Sequence, residues 1–244
     1  MWEVRMPETE ELRHETKTIP LPAGVDQVDI HLAMGIGKLY VQAGSEALLD
    51  AEFTYNVAAW QPQISLEHRD ATAYLTVRQP RAHTTVGRRA ENTWRIRLAG
   101  DVPMDLHVKS GVGNAELNLA KLPLRRLSTK LGVGEATLML TDNPQLGSVH
   151  IDMGVGNLTV DLRGEWQHDV TADIHGGTGT LTLQLPTEIG VKVVASKGIG
   201  RLRCNGLHHQ GGGVWVNPAY TETGTTLNVT IHAGVGQINL NVGG

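Results

Sequence analysis

The sequence predicts an all-β fold: a right-handed β-solenoid of ~22-residue coils with G-x-G corners, plus an inserted N-terminal β-meander and a C-terminal capping insertion. Three observations carry this. Glycine is abundant, with 29 in 244 residues. A G-x-G pattern recurs seven times, with first glycines at Gly35, Gly111, Gly132, Gly154, Gly177, Gly198 and Gly234. Each copy is flanked by strict apolar–polar alternation, the mark of a half-buried strand.

The five central copies are spaced by 21, 22, 23 and 21 residues, which is a coil length. Aligned on the first glycine, the residues at +4 are Leu39, Ala115, Ala136, Leu158, Leu181, Leu202 and Ile238, all apolar. Those at +6 are Val41, Leu117, Leu138, Val160, Leu183, Cys204 and Leu240, again apolar. Between them +5 reads Tyr40, Glu116, Thr137, Thr159, Thr182, Arg203 and Asn239. A second alternating stretch precedes each corner, with Ile30, Leu106, Leu127 and Val149 among its inward residues. Each unit is therefore strand, corner, strand and return loop. Glycine suits the corner because it accepts positive φ and allows close backbone approach. One coil cannot bury its own apolar face, so coils stack at ~4.8 Å per rung, and parallel crossovers favour a right-handed winding.

The chain divides into a polar N-terminal tail (1–18), an N-terminal all-β subdomain (19–104) and the repeat solenoid (105–244), which carries an insertion at 207–226. Within 45–104, alternation around Phe53, Leu66, Leu75 and Ile96 reads as four strands of a meander closing one end. The 207–226 insertion, with Trp215, Pro218 and Tyr220, reads as the cap at the other end, covering exposed strand edges.

Composition narrows the function classes. A net charge of -4 supplies no field for a phosphate backbone, so nucleic acid is not expected as a partner. Cys204 is the single cysteine, which excludes an internal disulfide or a C-x-x-C site, and its inward column makes it a small core residue. The first twenty residues hold three basic and five acidic residues and no signal-peptide apolar stretch. Nor does any run approach the ~18 apolar residues of a membrane helix. Nucleotide loops are not expected, because each G-x-G continues into a strand where phosphate cradling needs a helix N-terminus.

The run of G-x-G corners, DAEFTYNVAAWQP at 50–62, TWRIRLAGDVPMDL at 93–106 and the closing AGVGQINLNVG together resemble the toast-rack family of bacterial proteins. That domain also forms the C-terminal part of LiaF-like cell-envelope stress regulators. The resemblance implies an all-β repeat without assigned catalytic residues, an extracytoplasmic or envelope location, and an interaction or regulatory role in envelope stress. Its alternatives are a cytoplasmic location, and use as an adhesin-like glycan-binding or self-assembling scaffold. The expected partners are a protein, a cell-wall or surface glycan, or further copies of the chain.

For the sites, no catalytic residue, cofactor or metal ligand is expected. The most ordered outward feature is the column Thr137, Thr159 and Thr182 with Asn157 and Thr180 beside it, a polar ladder able to meet glycan hydroxyls, ending at Arg203 on the next rung. A basic loop centred on Arg88 and Arg89 could meet anionic surfaces. His31, His107 and His150 share an outward column at -4, and His175 and His232 share -2. Ser128 separates His107 from His150 by two rungs, too far to share a zinc ion, so these read as solvated histidines. A carbohydrate-active enzyme is disfavoured because Asp152 and Asp161 lie on different sides of a corner with no second carboxylate beside either.

Overall fold

The computed structural model describes residues 11–80 and 89–243. Each of the seven G-x-G copies lies in the middle of a long strand: β2 (Gln27–Ser45), β7 (Met104–Asn118), β8 (Leu124–Met139), β9 (Ser148–Asp161), β10 (Val170–Leu185), β11 (Gly190–Asn205) and β14 (Thr226–Val242). Neighbouring long strands pair parallel and in register, so corner stacks on corner. Only five residues join Asn118 to Leu124. A straight 15-residue strand would span ~50 Å, whereas that connection reaches at most ~21 Å. The two arms of each strand must therefore fold back at the corner, and their inward residues share one core that includes Leu39, Leu106, Leu138, Ile174 and Leu240. The outward sides of the arms form two separate polar faces.

The second glycine of each corner adopts positive φ, as at Gly134 (142°), and its Cα faces a carbonyl on the neighbouring rung, that of the equivalent glycine at six corners and of Asn92 at Gly37. The middle residues Val112, Val133, Val155 and Val235 stand about half exposed along the corner, where β-branching favours extended backbone without packing.

The rungs do not stack in chain order. The spacing predicts β10 beside β11, but the order is β2-β7-β8-β9-β10-β14-β11, with the last strand inserted between its predecessors. Burial explains the exchange. β14 buries Leu227, Val229, Ile231, Ile238 and Leu240, while β11 carries Lys192, Lys197, Arg201 and Arg203 and buries no residue after its corner. The more apolar strand takes the interior, and the charged one takes the edge, where charge discourages further pairing. β12 (His208–Gly211) and β13 (Val214–Val216) then pair antiparallel along the arm of β11 that precedes the corner. Cys204 is accordingly half-buried against the core, and burial raises its thiol pKa, which fits a packing residue and not a nucleophile.

The N-terminal insertion contains the four expected strands, β3 (Leu49–Tyr55), β4 (Gln63–Arg69), β5 (Thr72–Arg78) and β6 (Asn92–Ala99). They do not form one meander. β5 pairs parallel with the first arm of β2 and antiparallel with β4, whereas β6 pairs parallel with the second arm and antiparallel with β3. Together β5 and β6 act as one more rung that is split at its corner. The edge this leaves on the first corner is satisfied by side chains: Gln79 Oε1 accepts from the N–H groups of Gly35 and Ile36, and Asn92 Nδ2 donates to the Ile36 carbonyl. Residues 13–18, expected within a polar tail, form with Ile19 the edge strand β1 (Arg13–Ile19), paired with β3. Their lack of alternation follows from exposure on both sides.

Candidate binding face

On the outward side of the second arms, parallel register places Thr137 opposite Thr159 and Thr159 opposite Thr182. Asn157 pairs with Thr180 in the column beside them. The structure thus brings all five expected residues into one patch. Thr137 and Asn157 are exposed, and Thr159, Thr180 and Thr182 are partly so. The strand exchange corrects the far end of the ladder. Asn239, and not Arg203, follows Thr182, and its Nδ2 donates to Thr182 Oγ1 at 3.3 Å. Gln237 Nε2 in turn donates to Asn239 Oδ1 at 2.5 Å. Sequence spacing hides Asn239 because 57 residues separate it from its ladder neighbour.

At the near end the ladder continues through Glu116 and Tyr40 to Arg95 and Glu52, also through direct pairing. Here Tyr40, Gln42, Asp50, Glu52, Arg95, Arg97 and Glu116 line a polar groove. The Arg95 guanidinium lies 4.4 Å from the Tyr40 ring centroid. Asp50 accepts from Thr18 Oγ1 (2.6 Å) and Ser45 Oγ (2.8 Å), and these bonds hold its carboxyl below the usual range. That is the opposite of what a general acid requires. At Asp161 burial pushes the carboxyl up, but hydrogen bonds from Arg163 outweigh it and hold it low.

Of the basic loop, Arg88 lies outside the described residues. Arg89 is exposed, and its carbonyl accepts from Asn56 Nδ2 at 2.7 Å.

The first arms present a second face rich in histidine, aspartate and arginine. A bulge in β8 sets both Arg125 and Arg126 on the buried Asp105, whose carboxylate accepts four hydrogen bonds from them. His31 and His107, 76 residues apart in sequence, occupy adjacent rungs, with stacked rings at a 4.4 Å centroid distance. Partial burial, and then the neighbouring His31, lower the His107 pKa against opposing pulls from Asp29 and Asp105. Because the folded-state pKa lies below the unfolded one, the contribution of His107 is complete above ~6.5 and declines as pH falls through the folded value. Urea titrations at pH 7.5 and 5 are expected to show wild type losing more stability on acidification than His107→Gln. Equal losses would refute the assignment.

Ser128 does separate His107 from His150, as expected. However, Asp173 on β10 pairs with His150, and His175 pairs with Asp152. Asp152 and Asp173 flank His150 at 3.3 and 3.6 Å, so the neighbouring rung does supply a second carboxylate. Alignment on the glycines already places Asp173 at -4, one rung beyond His150, which is the signal that column spacing among histidines alone overlooks.

Among the described residues no helix is long and apolar enough to cross a membrane. The chain matches the family model for the N-terminal domain of toast_rack over residues 8–147 and 142–184. No curated protein matches it. Among solved structures it is similar to a candidate cell adhesion protein of Clostridium sporogenes, at 26% identity and a TM-score of 0.69 over 96% of this chain and 100% of that one. A candidate adhesin of Bacteroides fragilis aligns over 96% and 99% of the two chains at 13% identity and a TM-score of 0.34, a level at which nothing transfers. The family model spans well over half of the chain and includes the inserted strands and the first five corners, so this protein belongs to the toast-rack family.

Proposed function

We propose that the chain is a non-enzymatic binding module of the bacterial cell envelope, used as an adhesin is, with the Thr137–Thr159–Thr182–Asn239 ladder meeting a surface or wall glycan. The observation that carries this reading is the ladder itself. It sets hydroxyl and carboxamide groups at the regular rung spacing of ~4.8 Å on strands paired in register along their length, so the groups are held in place before a ligand arrives and less ordering entropy opposes binding. The similarity to the Clostridium sporogenes protein supports an adhesive use, and family membership supports an envelope location. A second reading, a protein partner in an envelope stress response, draws on family membership alone.

A glycan array tests the first reading. Wild type is expected to retain at least one wall or surface polysaccharide, and the Thr137→Ala/Thr159→Ala/Thr182→Ala variant to bind it at least tenfold more weakly with an unchanged circular dichroism spectrum. Undiminished binding by the variant would remove the ladder from the site. Failure of wild type to bind any glycan would favour the protein-partner reading.

A further inference from the structure

We infer that the histidine face carries a divalent transition-metal site, most suited to Zn²⁺, in which His150, Asp173 and His175 are the ligands and Asp152 positions one of them. One ligand atom from each of the three lies within 4.8 Å of the others. His150 Nδ1 is 3.6 Å from Asp173 Oδ2, and His175 Nε2 is 3.3 Å from the same carboxylate. Ligand atoms around a tetrahedral zinc ion sit ~3.4 Å apart, so small side-chain rotations bring the set onto one ion. The chemistry fits as well, since two imidazoles and a carboxylate suit zinc better than calcium or magnesium, which prefer oxygen throughout.

Two independent features point the same way. Asp173 Oδ1 is shielded from solvent and its contact, His175 Nε2 at 3.3 Å, does not meet hydrogen-bond geometry, so this oxygen keeps unused acceptor capacity within the cluster. Asp152 Oδ1 lies 3.3 Å from His150 Nε2, the ring nitrogen that faces away from Asp173. A carboxylate on the far nitrogen of a ligating histidine fixes its tautomer and raises its basicity, the usual support behind a metal-bound imidazole. Lys130 Nζ, 3.9 Å from the other Asp152 oxygen, balances the second negative charge.

Ring geometry separates this cluster from the other one, Asp29, His31 and His107. The His31 and His107 rings are stacked nearly parallel (13°) at a centroid distance of 4.4 Å, so their in-plane lone pairs run side by side and do not converge on a point between the rings. The His150 and His175 rings are tilted by 55°, so their planes converge. All three ligand side chains are also about 40–45% exposed, which leaves a fourth position open to water or to an incoming group.

The test is a Zn²⁺ titration of the full chain in competition with a chromogenic chelator, with His208→Ala and His209→Ala in every sample so that the adjacent exposed histidines do not contribute. The expected result is one Zn²⁺ per chain with a dissociation constant in the micromolar range or below. Asp173→Asn and His175→Gln should each weaken it at least tenfold, and His31→Gln/His107→Gln should leave it unchanged. Co²⁺ loaded in place of zinc should give a tetrahedral d–d spectrum that His150→Gln abolishes, a readout independent of affinity. Absence of stoichiometric Zn²⁺ binding, or binding unaffected by Asp173→Asn and His175→Gln, would overturn the assignment.

Discussion

Replacing Gly134 by alanine is expected to prevent folding. A Cβ at that position would overlap the Gly113 carbonyl oxygen on the rung below, far inside the 3.0 Å that Cβ atoms do not cross, and the obstacle is backbone. Gly134 also sits at φ 142°, which an L-residue adopts only under strain. Relief would require separating two rungs whose ladder runs the length of both strands, so the cost should exceed ~4 kcal/mol, a large share of the ~5–15 kcal/mol that stabilises a typical domain. Gly44→Ala is the control. It has positive φ (112°) but nothing within 4 Å of the added Cβ, so it should cost only ~1–2 kcal/mol. Soluble yield and urea midpoints check both variants. A Gly134→Ala protein as stable as Gly44→Ala would show that the corners do not need the close approach.

Trp94→Ala should be the most costly change outside the corners, at ~3–5 kcal/mol. Trp94 is fully buried on β6, paired with Phe53 on one side and Leu39 on the other, and meets the Phe53 ring edge-on at 5.3 Å. It fills the core where the split rung joins the first long strand, between β3 and β2. Its indole N–H is buried without an acceptor. Trp94→Phe removes that unpaired donor along with some volume, so the two effects oppose each other and the loss should stay within ~1–2 kcal/mol. Denaturant unfolding of the two variants distinguishes packing from polar cost, and near-equal losses would show that the indole nitrogen is not the liability its burial suggests.

Much of the fold was legible because its rules are local. Alternation at Leu181–Thr182–Leu183 states which side of the strand is buried, whatever lies beside it, and the paired glycines state where the chain turns. The threonine ladder was legible for the same reason, since β8, β9 and β10 are neighbours both in sequence and in space. The Gln79 and Asn92 side chains that satisfy the first corner were not legible, because nothing in their own surroundings distinguishes them from other polar residues. The edge strand β1 escaped notice because exposure on both sides erases the alternation that marks a strand.

The sequence by itself determined the unit, its corner, its buried columns and the patch formed by Thr137, Thr159 and Thr182. The tertiary structure decided which units lie side by side where chain order does not. It placed β14 between β10 and β11, set Asn239 next to Thr182, and brought His107 against His31 across the 76 residues between their rungs. Inward and outward positions follow from a period of two that each strand carries within itself, whereas neighbours across rungs follow from competition among strands for the interior. The apolar arms of β14 won that place over the arginine- and lysine-bearing β11, an outcome set by total burial and not by order along the chain.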